Sequence, residues 1–133
     1  MEESNSVRHI LIIDDDLDDI EIFEEVLHQL DSRIHLTTLY NCYDIINVLN
    51  KLDSIPDVLF IDVNLPGEDG LECIETIKAA SKYSNLKVVI YCGAISQHII
   101  DHALKDSTYS YFLKPSSLTE IHDLLEKILI TNP

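Results

Sequence analysis

Val58-Leu59-Phe60-Ile61-Asp62, continued by Val63-Asn64-Leu65-Pro66-Gly67-Glu68-Asp69-Gly70, is an apolar run that ends in a carboxylate and opens into a turn. An uninterrupted apolar run of this length reads as a strand buried on both faces. A second such run, Ile10-Leu11-Ile12-Ile13, ends in Asp14-Asp15-Asp16. Two buried strands that both finish in carboxylates predict one acidic pocket at one edge of a sheet. Like charges gathered there repel and raise each other's pKa unless a cation is bound. The pattern therefore points to a divalent metal, with Asp62 placed as the reactive oxygen beside it.

Working outward from these two runs, the chain alternates. His9 to Ile13 is the first predicted strand. Leu17, Ile20, Phe23, Val26, Leu27 and Leu30 then fall at helical spacing, with Asp18, Asp19, Glu21, Glu24 and Glu25 on the other face. Asp16 is suited to cap that helix, and Asp19 to sit at its positive end. Ile34 to Tyr40 reads as a strand and Tyr43 to Leu52 as a short helix. Leu71, Ile74, Ile77 and Ala80 mark a helix beginning near Gly70. Lys87 to Cys92 is a strand, Ser96 to Lys105 a helix, and Tyr109 to Leu113 a fifth strand. Ser117 to Ile130 closes the chain, with apolar positions at Leu118, Ile121, Leu124, Leu125 and Ile128. Strands that are continuously apolar and alternate with helices predict an α/β fold, a parallel sheet covered on both faces. In such sheets the ligand crevice lies beyond the carboxyl ends of the strands. Asp14, Asp15, Asp62, Cys92 and Lys114 all fall there.

A length of 133 residues suits a single domain, 1–133, with one core and with residues 1–6 and about 132–133 frayed. The net charge of -15, from 24 acids against 9 bases, lacks the clustered Lys and Arg that nucleic-acid binding requires, so partners are expected to be proteins. No apolar run approaches membrane-spanning length and no signal-peptide pattern opens the chain, so a cytoplasmic location and no membrane association are expected. The three cysteines, Cys42, Cys73 and Cys92, are odd in number and lack close ligand spacing. They are expected to be reduced thiols and not metal ligands.

An aspartate acting as nucleophile toward phosphorus forms an acyl phosphate, and its surroundings must manage the charge of the phosphoryl group. Mg2+ takes oxygen ligands and keeps several waters. Asp14, Asp15, Asp62 and the backbone carbonyl of Asn64 fit that role. Lys114, a cation at a strand's carboxyl end, is suited to neutralise another phosphoryl oxygen. Pro115 would fix the turn after it, with a cis bond as one option.

With these residues in place the chain resembles the receiver domain of bacterial two-component response regulators, the family of the chemotaxis regulator CheY. The resemblance covers essentially the whole chain. It rests on Asp14-Asp15, on the turn Asp62-Val63-Asn64-Leu65-Pro66-Gly67, on Gly70, and on Tyr111-Phe112-Leu113-Lys114-Pro115. The separations between Asp62, position 92 and Lys114 also match those of typical receivers. The resemblance implies a doubly wound, flavodoxin-like sheet of order 2-1-3-4-5. It implies that a sensor histidine kinase or phosphotransfer protein passes a phosphoryl group to Asp62 with Mg2+ bound. A downstream protein would then read a change near helix four, strand five and helix five, with Tyr111 as the switching aromatic. Phosphate-binding groups would be Lys114, Gly93 and Cys92. Cys92 departs from the family pattern, which has Thr or Ser there as phosphate contact and switch. A thiol is a weak donor, so phosphorylation is expected to survive and its link to Tyr111 to weaken.

Each signal has an ordinary reading. Adjacent acids commonly cap helices, and Asp16, Asp18 and Asp19 keep that role. Pro66, Gly67 and Pro115 are common turn residues, Tyr111 suits any strand, and Cys92 is a plausible core filler. His98 and His102 lie four apart on a predicted helix, but without a third ligand nearby in sequence the pair reads as structural. His9, His28, His35 and His122 show no grouping. The leading expectation is a stand-alone phosphoacceptor, monomeric or weakly dimeric, that signals by a switch or relays its phosphate. It catalyses its own phosphotransfer and dephosphorylation and is not a turnover enzyme. The alternatives are a pseudo-receiver that binds protein without phosphate, and a phosphohydrolase. The last is disfavoured because Asn64, two residues after the nucleophile, cannot serve as acid or base.

Overall fold

The computed structural model describes residues 7–105 and 107–131. The expected frayed ends, residues 1–6 and 132–133, lie outside them. The elements are β1 (His9–Ile13), α1 (Leu17–Leu30), β2 (His35–Leu39), α2 (Ile45–Asn50), β3 (Val58–Asp62), α3 (Gly70–Ala79), β4 (Lys87–Cys92), α4 (Gln97–Ala103), β5 (Tyr109–Leu113) and α5 (Leu118–Thr131). A short 3-10 turn, Ser81–Tyr83, follows α3 and was not anticipated. All neighbouring strands are parallel, in the order β2-β1-β3-β4-β5.

The central strands are buried throughout, apart from Lys87 at the start of β4, because both faces carry helices, and strand alternation divides their side chains between two layers. Leu11, Ile13, Leu59, Ile61, Ile90 and Cys92 pack with residues of α2, α3 and α4. Ile10, Ile12, Phe60, Val89 and Tyr91 pack with α1 and α5. The outer strands are less buried, and the Thr and His content of β2 reflects its edge position. Leu17 and Leu118, both expected on apolar faces, are 60% exposed. Each occupies the first position of its helix, α1 or α5.

Asp16 caps α1 as expected, accepting from the amides of Asp18 and Asp19. Asp69 does the same for α3, accepting from Leu71 and Glu72. Gly70 is required by close approach, because a Cβ there would press into the Val63 backbone and lie 2.9 Å from its carbonyl oxygen and its Cβ. Gly67 turns the chain at φ 71°.

Three expectations are corrected. Cys42 and Cys73 are not free thiols: they form a disulfide, with Cα atoms 6.3 Å apart, and only Cys92 of the three is free and buried. The packing of α2 on α3 brings the loop after β2 against the start of α3, a proximity that a separation of 31 residues conceals. His9 and His35 do group, because the β1–β2 register sets them side by side with rings 4.8 Å apart. No cis peptide occurs among the described residues, so the bond before Pro115 is trans.

Candidate functional site

β1, β3 and β5 each deliver one charged side chain to the same edge. Asp14 follows β1, fully buried, with its amide donating to the Leu39 carbonyl at 3.0 Å. Asp62 ends β3 and is 6% exposed. Lys114 follows β5, held beside β4 by its amide donating to the Cys92 carbonyl at 2.7 Å. Its Nζ stands 3.0 Å from Asp62 Oδ2, 3.1 Å from Asp14 Oδ2 and 2.7 Å from Asp19 Oδ2. Burial alone would lower the lysine's pKa, but hydrogen bonds to Asp19, Asp62 and Asp14 outweigh it and raise the pKa above the ordinary value. The ammonium is therefore a permanent charge.

The carboxylates are also oriented by neutral donors. Asp62 Oδ1 accepts from the Asn64 amide at 2.9 Å, and Asp14 Oδ1 from the Asp16 amide at 3.0 Å. The Tyr91 hydroxyl donates to Asp14 Oδ2 at 2.7 Å. Burial, and then the Asp14 charge, push the phenol's pKa up, so it remains a donor.

Two members of this cluster are not legible in the sequence. Asp19 looks there like a helix-start charge, and Tyr91 carries no site signal of its own. In β4, alternation turns Tyr91 toward α1 and α5, and the same layer carries the first turn of α1 with Asp19 to the Lys114 ammonium. The period-2 position of Tyr91 was the available signal, though it looks like core filling until the strand order is known.

The other expected residues are distributed as follows. Asp15 is exposed beside Asp14, and one carboxylate oxygen from each of Asp14, Asp15 and Asp62 lies within 4.8 Å of the others. Asn64, Pro66 and Gly67 are exposed in the β3–α3 turn, and Gly93 is exposed after β4. Cys92 is fully buried, and its Sγ donates to the Ala94 carbonyl at 3.1 Å. Burial, the largest influence, raises its thiol pKa, so it is a neutral thiol. Tyr111 is half-buried against the α2–α3–α4 layer. Glu68 of the turn accepts from the Cys42 amide at 2.8 Å, tying the β3–α3 and β2–α2 loops together beside the disulfide.

Three carboxylates thus share one ammonium, with the Asp15 carboxylate beside them. An all-oxygen donor set carrying excess negative charge fits a hard divalent cation of the Mg2+ class.

The sequence matches the response regulator receiver domain family over residues 10–126. It is 28% identical over 94 residues to sporulation initiation phosphotransferase F of Bacillus subtilis (strain 168), covering 68% of this chain and 74% of that one. Among solved structures, the phosphorylated cyanobacterial phytochrome response regulator RcpA superposes with a TM-score of 0.81 at 21% identity, covering 96% of this chain and 97% of that one. The Mn(2+)-bound form of response regulator Rcp1 gives 0.78 at 21% identity, over 93% and 96% of the two chains. These superpositions establish the fold. No helix among the described residues is long and apolar enough to cross a membrane. The family match, the sheet order and the joining of Asp14, Asp62 and Lys114 at one edge together identify this chain as a member of the response regulator receiver domain family of two-component signalling.

Proposed function

We propose that Asp62 accepts a phosphoryl group, with Mg2+ held by Asp14, Asp15, Asp62 and the Asn64 carbonyl. The observation that carries this reading is the Lys114 ammonium poised between Asp62 and Asp14, at 3.0 and 3.1 Å. The donor is a phosphohistidine on a sensor kinase or phosphotransfer protein. An Asp62 carboxylate oxygen bonds to phosphorus, the phosphorus–nitrogen bond breaks, and its electron pair returns to the imidazole, which takes a proton. The cation, when bound, neutralises negative charge on the phosphoryl oxygens. Lys114 exchanges part of its carboxylate contact for one of those oxygens, and the Gly93 amide is available to another. Water later cleaves the acyl phosphate and returns Asp62 to its free carboxylate; in this reading the domain is a phosphoacceptor and not a turnover enzyme. Between those events a two-state shift involving Tyr111 signals to a downstream protein, or the phosphoryl group passes onward. The Mn2+-bound form of Rcp1 and the phosphorylated form of RcpA, both similar in fold, support the cation and the modification.

The experiment is label transfer from a panel of phosphorylated histidine kinases. Retention on the wild-type chain and none on Asp62→Asn supports the reading. No retention from any donor, or equal retention on the variant, refutes it.

One observation favours a pseudo-receiver: the Cys92 thiol spends its hydrogen on the Ala94 carbonyl and is not offered to a phosphoryl oxygen. Beryllofluoride titration with Mg2+ separates the readings. Amide shifts around Asp62 that saturate indicate a receiver, and an unchanged spectrum indicates a binding module.

A further inference from the structure

We infer that the cleft between α3 and α4 is a second cation site, taking a borderline-soft divalent ion such as Zn2+ through His98 and His102 of α4 and Glu75 of α3. The cleft has a volume of about 190 Å³, and its wall includes Glu72, Glu75, His98, Asp101, His102 and Lys105. His102 is the unusual member. It is only 4% exposed, yet neither ring nitrogen has a hydrogen-bond partner among the described residues. Buried polar atoms are rarely left in that state, and each such atom costs on the order of 1–3 kcal/mol. Its Nε2 stands 3.3 Å from Glu75 Oε2, close but not in hydrogen-bond geometry. The ring is steadied by Tyr109 of β5, whose centroid lies 5.2 Å away.

The remaining ligands line the same cleft. His98 lies one helical turn before His102 and is exposed, so its side chain can rotate without disturbing the core. Residues four apart on a helix share a face and can chelate one ion. Glu75, contributed by the neighbouring helix, is the third ligand that the sequence could not place. Two imidazoles and a carboxylate leave a fourth, water-filled position, a donor set that suits Zn2+ better than Mg2+. Burial is the main influence holding His102 below the ordinary histidine pKa, which keeps a ring lone pair available. Lys105 now pairs with Glu75 at 3.1 Å, and both side chains are more than half exposed. Such a surface pair is worth about 0–1 kcal/mol, so an arriving dication displaces it at small cost. The ion would tie α3 to α4 and use none of the carboxylates around Asp62.

The test is a Zn2+ titration of the intact chain in a large excess of Mg2+, followed by calorimetry. One Zn2+ per chain is expected. Binding should weaken by about tenfold or more in His98→Ala and in Glu75→Gln. Neither position is buried, so both variants should fold. Asp62→Asn should leave binding unchanged, as should His122→Ala, which dismantles the exposed His122–Asp123–Glu126 group on α5. Absence of Zn2+ binding overturns the inference. So does binding that survives His98→Ala, or binding lost in Asp62→Asn or His122→Ala.

Discussion

At the amino end of the sheet, His9 is buried with its Nδ1 2.9 Å from the Ser54 hydroxyl and its Nε2 2.7 Å from that of Thr37. Asp57 Oδ2 accepts there from the amides of Arg8 and His9, at 2.7 and 3.0 Å. At the carboxyl end of the same strands, Asp14 and Asp62 are just as buried but share one ammonium, with Asp19 as a third claimant. The first cluster is satisfied from within the chain and holds the strands in register. The second is left with excess negative charge and therefore depends on its surroundings. Buried polar networks contribute to stability when complete and become sensitive to ligands when incomplete.

The largest expected effect breaks the balance at the carboxyl end. Lys114→Ala leaves three carboxylates facing one another and should cost about 3 kcal/mol in metal-free urea unfolding. Added Mg2+ should recover part of that loss. Failure of Mg2+ to stabilise the variant would show that the excess charge is not what the cation answers.

At the other end, His9→Ala should cost about 2 kcal/mol, since it leaves the Ser54 and Thr37 hydroxyls without their ring partner. Added Mg2+ should not restore it. The pH dependence has a defined sign. Burial, then the neighbouring His35, hold the His9 pKa below its ordinary 6.5. The unfolded chain therefore takes up this proton first. Its contribution to stability is complete above pH 6.5 and is lost as the pH falls from there through the lower folded pKa. His102 acts in the same direction. Midpoints of urea unfolding measured across this range should fall on acidification, with a shallower slope in His9→Ala.

A smaller effect sharpens the comparison. Tyr91→Phe removes one donor from Asp14 and should cost about 1.5 kcal/mol without metal. Because it returns a lone pair to the carboxylate, Mg2+ affinity should hold steady or rise, and a clear loss would mean that Tyr91 also positions the cation. The smallest effect is expected for Asp62→Asn in metal-free solution, within about 0.5 kcal/mol, because it relieves like-charge repulsion while losing part of one ion pair. A large destabilisation would make Asp62 a structural residue like His9.

The legible parts of the molecule were those written locally. The apolar runs of β1 and β3 mark their own ends, and with them Asp14 and Asp62, while the aromatic-rich run of β5 marks the place of Lys114. The bounds of β2 and α2 were less sharp, because β2 is a polar edge strand and α2 spans only Ile45–Asn50. Partnerships across the fold were hidden for a different reason. Tyr91 with Asp14, Asp19 with Lys114, His9 with His35 and Cys42 with Cys73 each join residues that only strand order and helix layering bring together. The odd cysteine count pointed toward free thiols, whereas the packing of α2 on α3 joins two of the three.

The central claim is that Asp62 is the acceptor in a cation-dependent acidic pocket, and intact-mass spectrometry with peptide mapping tests it most directly. After incubation with a small-molecule phosphodonor and Mg2+, the chain should gain the mass of one phosphoryl group, mapped to Asp62. That gain should vanish on chelation of the metal and in Asp62→Asn. No gain, or an equal gain in the variant, would contradict the account.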